Sequence, residues 1–416
     1  MSRTALTLRP RFWKLGLNLL ALALGVLAPL LHAAEVRLPA GFRREAVAGP
    51  EVKEPMDLAF APDGAAWITA RAGEIWRIDT VTLKRHLVGK IETDVNGDRG
   101  LHGIAFHPDF PKKNQLYLFS HVLERPKGKY RSRVSRWEIR GTGAEATLVP
   151  GSDATILQFD GEEEGQHVGG GLFMHPKERL LYVTTGDNNM IWKLKEYCDD
   201  PANRAQSITD LRGKVLRLNL DGTVPSGNPY AKQAGARGEV FTRGHRQPWL
   251  INWDAKSDLL LLSENGGDEL DDHEEINRIV SGGNYGWPRV FADGLETRSR
   301  TNHLDGFNAP WFLYKRNTGG SCTGGLIYRV GKQAGAYPER FRGGLFYSDY
   351  NRKTVRFAPV DPKTHQPGAS ENFAQNLPGG PISLREGPDG ALYLVEYGGW
   401  FQATTNDVVS RIVFKP

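Results

Sequence analysis

The sequence predicts an all-β chain folded as a six-bladed β-propeller, and three observations carry that expectation. The 416 residues exceed what one hydrophobic core usually organises, so the chain holds either two domains or one circular repeat. Its 48 glycines, 25 prolines and 39% hydrophobic residues suit many short strands and tight turns better than long helices. Most telling, six segments repeat one pattern: an alternating apolar run, a turn that often carries proline, and a second apolar run.

The segments begin with MDLAFAPDGAAWITARAGEIWRID at Met56 and HGIAFHPDFPKKNQLYLFSH at His102. GLFMHPKERLLYVTTGD at Gly171 joins GKVLRLN at Gly213, and WLINWDAKSDLLLLSENG follows at Trp249. GLIYRV at Gly325 with GGLFYSDY at Gly343, and ISLREGPDGALYLVEY at Ile382, complete the set. Proline presets φ and glycine tolerates positive φ, which is why Pro-Asp-Gly makes a tight turn. A hairpin cannot bury both of its faces, so each unit must pack on the next, and six such units close a ring. Two stacked β-sandwiches are the alternative, but no non-repeating core segment separates two halves.

Residues 1–34 read as a secretory signal: Arg3, Arg9, Arg11 and Lys14, an apolar run from Leu15 to Leu31, then His32-Ala33-Ala34 for cleavage. The competing reading is an uncleaved membrane anchor, since that run approaches spanning length. Cleavage leaves one propeller domain over 35–416, periplasmic or secreted, with no stable membrane insertion. The formal charge of +5 then falls to +1, because the signal holds four basic residues and no acid. No footprint for nucleic acid or an anionic membrane remains. An oxidising compartment permits a disulfide between Cys198 and Cys322, and two separate thiols are equally compatible with the sequence. No C-x-x-C-H occurs, so electrons extracted by this chain would leave through a partner.

The stretch Gly244 to Pro288 concentrates chemistry-bearing residues. An apolar run, Leu259 to Leu262, delivers Glu264, Asn265, Gly266 and Gly267 onto a loop with six acids in eight residues, from Asp268 to Glu275. Paired glycines let backbone carbonyls face a ligand, as a hard cation such as Ca²⁺ requires. The acids lack EF-hand spacing, and a solvated acidic loop accounts for most of them. Long insertions at Asp187 to Arg212 and from Asp268 onward to Gly320 gather at one end of a propeller's channel, where the site is expected.

GLHGIAFHPDF (from Gly100), LRGKVLRLNLDGTVPSGNP (Leu211), GHRQP (Gly244), SENGG (Ser263), EEIN (Glu274) and GGNYGWP (Gly282) together resemble the glucose/sorbosone dehydrogenase family. The resemblance implies a six-bladed propeller that oxidises sugars with pyrroloquinoline quinone (PQQ) and Ca²⁺ and passes electrons to an external acceptor, a cytochrome or a quinone. It implies that His167, in GQHVGGGLFMHP, is the general base and that Arg246 stabilises negative charge on the quinone oxygen. Gly266 and Gly267 correspond to the carbonyls that hold Ca²⁺. Glu275 and Asn277, in the recurring EIN triplet, are expected to brace the fourth blade.

Several positions depart from the family pattern. Gln247 stands where asparagine is usual, and Gln166 replaces an acidic neighbour of the base. Asp98 and Arg99 occupy the place of a glutamine that contacts cofactor or substrate, and Asp98 either bonds a sugar hydroxyl or pairs with Arg99. The family's fifth-blade lysine is Asn351, flanked by Arg352 and Lys353, and Gly380-Pro381-Ile382 replaces a pair of arginines. A trianionic quinone needs cations, so Arg352, Lys353, Arg385 and Arg204 become the candidates to hold it. SCTGGLIYR with GGLFYSDY looks more like the sorbosone-dehydrogenase-like and hedgehog-interacting-protein-like branch. The expected function is an exported PQQ- and Ca-dependent aldose dehydrogenase. A non-redox carbohydrate- or protein-binding propeller, or a Ca-dependent lactonase or hydrolase on the same scaffold, are the alternatives.

Overall fold

Each repeat supplies more than a hairpin. In the computed structural model, which describes residues 35–123, 129–162, 165–189, 203–267, 273–289, 306–316, 320–329, 336–399 and 406–416, six antiparallel sheets form six blades. The expected secretory signal, Cys198 and the acids Asp268, Glu269, Asp271 and Asp272 lie outside the described residues.

The innermost strands are Pro55–Phe60, Leu101–Phe106, Leu172–Met174, Gln247–Asp254, Cys322–Ile327 and Gly380–Glu386. Each contacts the next, and the sixth returns to the first, so the ring closes around a channel. The predicted propeller is therefore the observed fold. Five blades are built from consecutive strands. The sixth borrows Phe42–Ala48, which pairs antiparallel with Val408–Phe414 in the register Phe42 to Phe414.

Among the described residues the buried apolar side chains fall into six clusters, one at each junction between adjacent blades. At the second junction Leu172, Leu181 and Val183 of blade three meet Tyr117, Phe119 and Val134 of blade two. Alternation along each strand thus serves two junctions, one per face. Near the channel the blades approach so closely that side chains are excluded. A Cβ on Gly103 would lie 2.4 Å from the Gly170 carbonyl oxygen, and one on Gly171 2.0 Å from that of Trp249. This is the physical content of the GLHG and GGG motifs.

Two histidines sit in this crowded zone. The rings of His102 and His121 lie 5.0 Å apart, and their Nδ1 atoms meet the carbonyls of Gly169 and Gly100 at 3.1 and 3.0 Å. Burial holds both pKa values down, to about 4 for His102 and well below the usual value for His121, with Arg71 and Arg99 respectively adding repulsion. An unfolded chain protonates these rings near pH 6.5, so the stability they confer is full above that pH and is lost as pH falls towards 4. Urea melts at pH 7.5 and 5.0 should therefore differ by about 2 kcal/mol for His102 alone, and His102→Gln should remove that share while leaving the contribution of His121.

Candidate active site

All six inner strands run in the same direction along the channel, so their first residues gather at one mouth. There a cavity of about 360 Å³ is lined by His167, Arg246, Asn265, Arg316, Thr323 and Tyr350, with Asp98, Gln166, Gln247, Trp249 and Asn351 among the other wall residues. The site thus lies at one end of the channel, drawing on the segments just before blades two, three and four, on Arg316 after Phe312–Lys315 of blade four, and on the turn after Leu345–Asp349 within blade five.

His167 is the most constrained of these residues. Its φ of +55° lies in the left-handed region, which histidine enters more readily than most side chains. Two carboxylates hold it there. Its backbone N–H donates to Asp98 Oδ2 at 3.0 Å, and Nδ1 lies 2.9 Å from Asp187 Oδ1. Asp187 is fully buried, accepts the indole N–H of Trp287 on Oδ2 at 2.8 Å, and accepts the Asn189 N–H on Oδ1 at 3.0 Å. A carboxylate at Nδ1 sets the tautomer with the proton on that nitrogen, leaving Nε2 as the proton acceptor. The arrangement can take a proton from a hydroxyl and hold the resulting charge.

Arg246 enters from blade four. Its N–H donates to Glu264 Oε1 at 2.7 Å, and its guanidinium carbon lies 5.5 Å from the centroid of the Trp287 ring. Glu264 is itself fixed: Oε2 meets His245 Nδ1 at 2.7 Å and accepts the Asn277 amide at 3.0 Å, while that amide also donates to Glu275. His245 stacks on Tyr285 at 4.8 Å. Glu275 and Asn277 do brace the blade, and their bracing reaches Arg246 through one carboxylate.

The third group surrounds Gly266 and Gly267. Glu274, buried beneath them, accepts the N–H groups of Gly266 at 3.3 Å and Cys322 at 2.9 Å. Its other oxygen accepts Arg316 Nη1 at 3.0 Å, and the same Nη1 donates to the Gly267 carbonyl at 2.8 Å. Burial outweighs the arginine and raises the Glu274 pKa to about 7. Among the described residues, no three His, Cys, Asp or Glu side chains converge as a metal cluster.

Residues 52–399 match the family model described as Glucose / Sorbosone dehydrogenase. The chain belongs to the glucose/sorbosone dehydrogenase family. It is 30% identical over 356 residues to aldose sugar dehydrogenase YliI of Escherichia coli, covering 83% of this chain and 87% of that protein. It is 32% identical over 251 residues to quinoprotein glucose dehydrogenase B of Acinetobacter calcoaceticus, a match that spans 58% of this chain and about half, 51%, of that enzyme. The fold is also that of a PQQ-bound aldose sugar dehydrogenase from Streptomyces coelicolor, with a TM-score of 0.67 at 23% identity over 91% of this chain and 99% of that one.

Within this candidate site, several expected residues take other places. Arg99 is 1% exposed, pairs with Asp94 and lies 4.7 Å from the Tyr130 ring centroid, so it backs the wall and does not line the cavity. Asp98 anchors the base loop through the His167 N–H. Gln247 does the same, its Oε1 accepting the Gly169 N–H at 3.1 Å. Asn351 donates to the Gly320 carbonyl at 2.9 Å on the cavity wall. Arg352 is exposed at the rim and reaches the Arg316 carbonyl at 3.5 Å. Lys353 donates to the Pro378 carbonyl, and Arg204 to that of Asn188.

Arg385 is the clearest correction. It lies at the far ends of the inner strands, on a separate cavity of about 490 Å³, where it contacts both Asp57 oxygens at 3.2 Å and the Ile251 carbonyl at 3.0 Å. Two residues beyond Ser383 along the strand, it points past the channel's midpoint and never reaches the site. Arg385→Ala should leave ligand affinity at the His167 cavity unchanged. It should lower stability by about 2 kcal/mol, the worth of a hydrogen bond to a charged group, and less than the full cost of stranding a buried carboxylate because Asp57 keeps its bonds from Ser383 and the Leu58 N–H. Isothermal titration and urea melts separate the two effects.

Asp187, Trp287 and Arg316 escaped the sequence reading as site residues. Asp187 closes the TTGD that ends the third repeat, and Trp287 sits in GGNYGWP, so both carried a signal. Arg316 lies in no recurring motif.

Proposed function

We propose that this chain is an exported, PQQ-dependent dehydrogenase of aldose sugars that passes its electrons to an external acceptor, a cytochrome or a quinone. The observation that carries the proposal is the Asp187-backed imidazole of His167 on a cavity that also receives the Arg246 guanidinium. Its place in the family, and the names of its relatives, support the reading.

The cavity suits a planar anionic quinone on three counts. Trp249 and Tyr350 give it aromatic walls, Arg246 and Arg316 give it positive charge, and Asn265 Oδ1 is a buried acceptor with no protein partner among the described residues, suited to a ring N–H. When bound, such a quinone supplies a two-electron acceptor for hydride from the sugar carbon. The chain's own residues do the rest. His167 Nε2 takes the hydroxyl proton, Asp187 holds Nδ1–H and steadies the imidazolium, and Trp287 keeps Asp187 in place. Arg246, fixed by Glu264 through its backbone, places positive charge where the ligand gains negative charge.

The carbonyls of Gly266 and Gly267 are the candidate ligands for Ca²⁺, but the second already accepts Arg316, so a cation there would have to displace a guanidinium.

The test is reconstitution of the purified mature protein with PQQ, with and without Ca²⁺, followed by dye reduction across a panel of aldoses. Quinone binding and sugar-dependent dye reduction are expected. A protein that bound neither quinone nor sugar productively would defeat the proposal, and sugar binding without redox turnover would favour the binding-propeller alternative.

A further inference from the structure

Positive charge around the cavity is unevenly distributed. On the sixth-blade side, Gly380 lies against the Tyr350 ring, where a Cβ would come within 2.3 Å of Cδ2, and Pro381 and Ile382 follow. Thr323 Oγ1 and the Trp249 indole N–H are committed to the Pro381 and Ile382 carbonyls. That wall is aromatic and aliphatic. Among the described residues, the cations that line the cavity are Arg246 and Arg316, both on the side of blade four.

Arg316 is held in a particular way. Its Nη1 bridges the Gly267 carbonyl and Glu274 Oε1, while Glu274 Oε2 ties Gly266 to Cys322 of the next blade. The guanidinium is thus fixed at the glycine pair, with the side chain 20% exposed. A carbonyl that accepts a fixed cation is a poor ligand for a second, divalent one, because two positive charges would share one oxygen. The same guanidinium has the planar, multi-donor shape that carboxylates bind best.

Resting on the quinone reading above, we propose that Arg316 takes the metal's place at the Gly266–Gly267 edge: it supplies the charge there and receives a carboxylate of the anionic quinone, so ligand binding needs no divalent ion.

The experiment is titration of the apoprotein with PQQ, followed by quenching of tryptophan fluorescence, once in EDTA and once in excess Ca²⁺. The wild type should bind with the same affinity in both. Arg316→Ala should bind roughly tenfold or more weakly in EDTA and regain part of the loss with Ca²⁺, which can then reach the Gly267 carbonyl, while Arg316→Lys should lose less. Because alanine leaves Glu274 buried without its cation, the double variant Arg316→Ala/Glu274→Gln, which carries no buried charge there, is titrated alongside and should behave as the single one. Wild-type binding that vanishes in EDTA and returns with Ca²⁺ would overturn the proposal while leaving the quinone reading intact. So would wild-type affinity in the Arg316 variants. Absence of quinone binding by the wild type in both buffers would overturn the quinone reading, and this proposal with it.

Discussion

His167→Ala is expected to lower turnover of the quinone-loaded protein by roughly three orders of magnitude while changing quinone affinity little, since general-base catalysis typically contributes 10²–10⁴-fold. Asp187→Asn should cost nearly as much, for a reason visible in the hydrogen bonds. Asp187 uses both oxygens as acceptors, one towards His167 Nδ1 and the Asn189 N–H, the other towards the Trp287 indole. An asparagine has one acceptor and one donor group. Either its NH₂ faces the indole N–H, two donors in conflict, or it faces His167 and forces the proton onto Nε2, where the base function is lost. Trp287→Phe keeps a ring beside Arg246 but removes one bond to Asp187, so a milder loss of about tenfold is expected. Steady-state kcat measured beside a quinone titration decides the matter. Full activity in Asp187→Asn would show that the tautomer is not set by this carboxylate.

The same site shows what a linear pattern can and cannot convey. His167 stood out through the family resemblance together with the glycines that follow it, which are needed where blades two, three and four nearly touch. The position of Arg246 on the cavity was legible because the short motif GHRQP leads straight into an inner strand. Arg385 misled because a cation two residues into a strand-like run looks close to the turn, yet successive residues in a strand advance about 3.3 Å each. Starting at Gly380, that distance carries Arg385 well along the channel towards Asp57. Arg316 was missed for the opposite reason: its significance lies in bonds to Glu274 and Gly267, more than forty positions away, which no local spacing encodes. The repeat announced the blades, but the strand that completes the sixth stands at the other end of the chain from its partner.

That closing strand sets the largest expected loss of stability. Phe42 lies at the head of Phe42–Ala48 and is 8% exposed. Its ring meets Tyr337, Phe341 and Phe373 edge-on at 4.8, 5.3 and 4.9 Å, and packs on Phe414 at 5.0 Å. One side chain therefore links the N-terminal strand to blade five, while its backbone pairs with the last strand of blade six. Phe42→Ala should cost about 3–5 kcal/mol, the usual range for a buried phenylalanine, with the edge-to-face pairs placing it in the upper half. Neighbouring rings cannot collapse into the gap, since Tyr337 is tied through its hydroxyl to the Ile412 carbonyl at 2.7 Å. Leu87→Ala, on an exposed outer strand, serves as the control and should cost little. Removal of 35–48 altogether should do more than lower the melting temperature: it bares the edge of Val408–Phe414, whose unpaired N–H and carbonyl groups then invite strand addition from another copy. Light scattering of the truncated protein should rise with concentration, and a monomeric, fully stable truncation would mean that the ring is held shut by the inner strands alone.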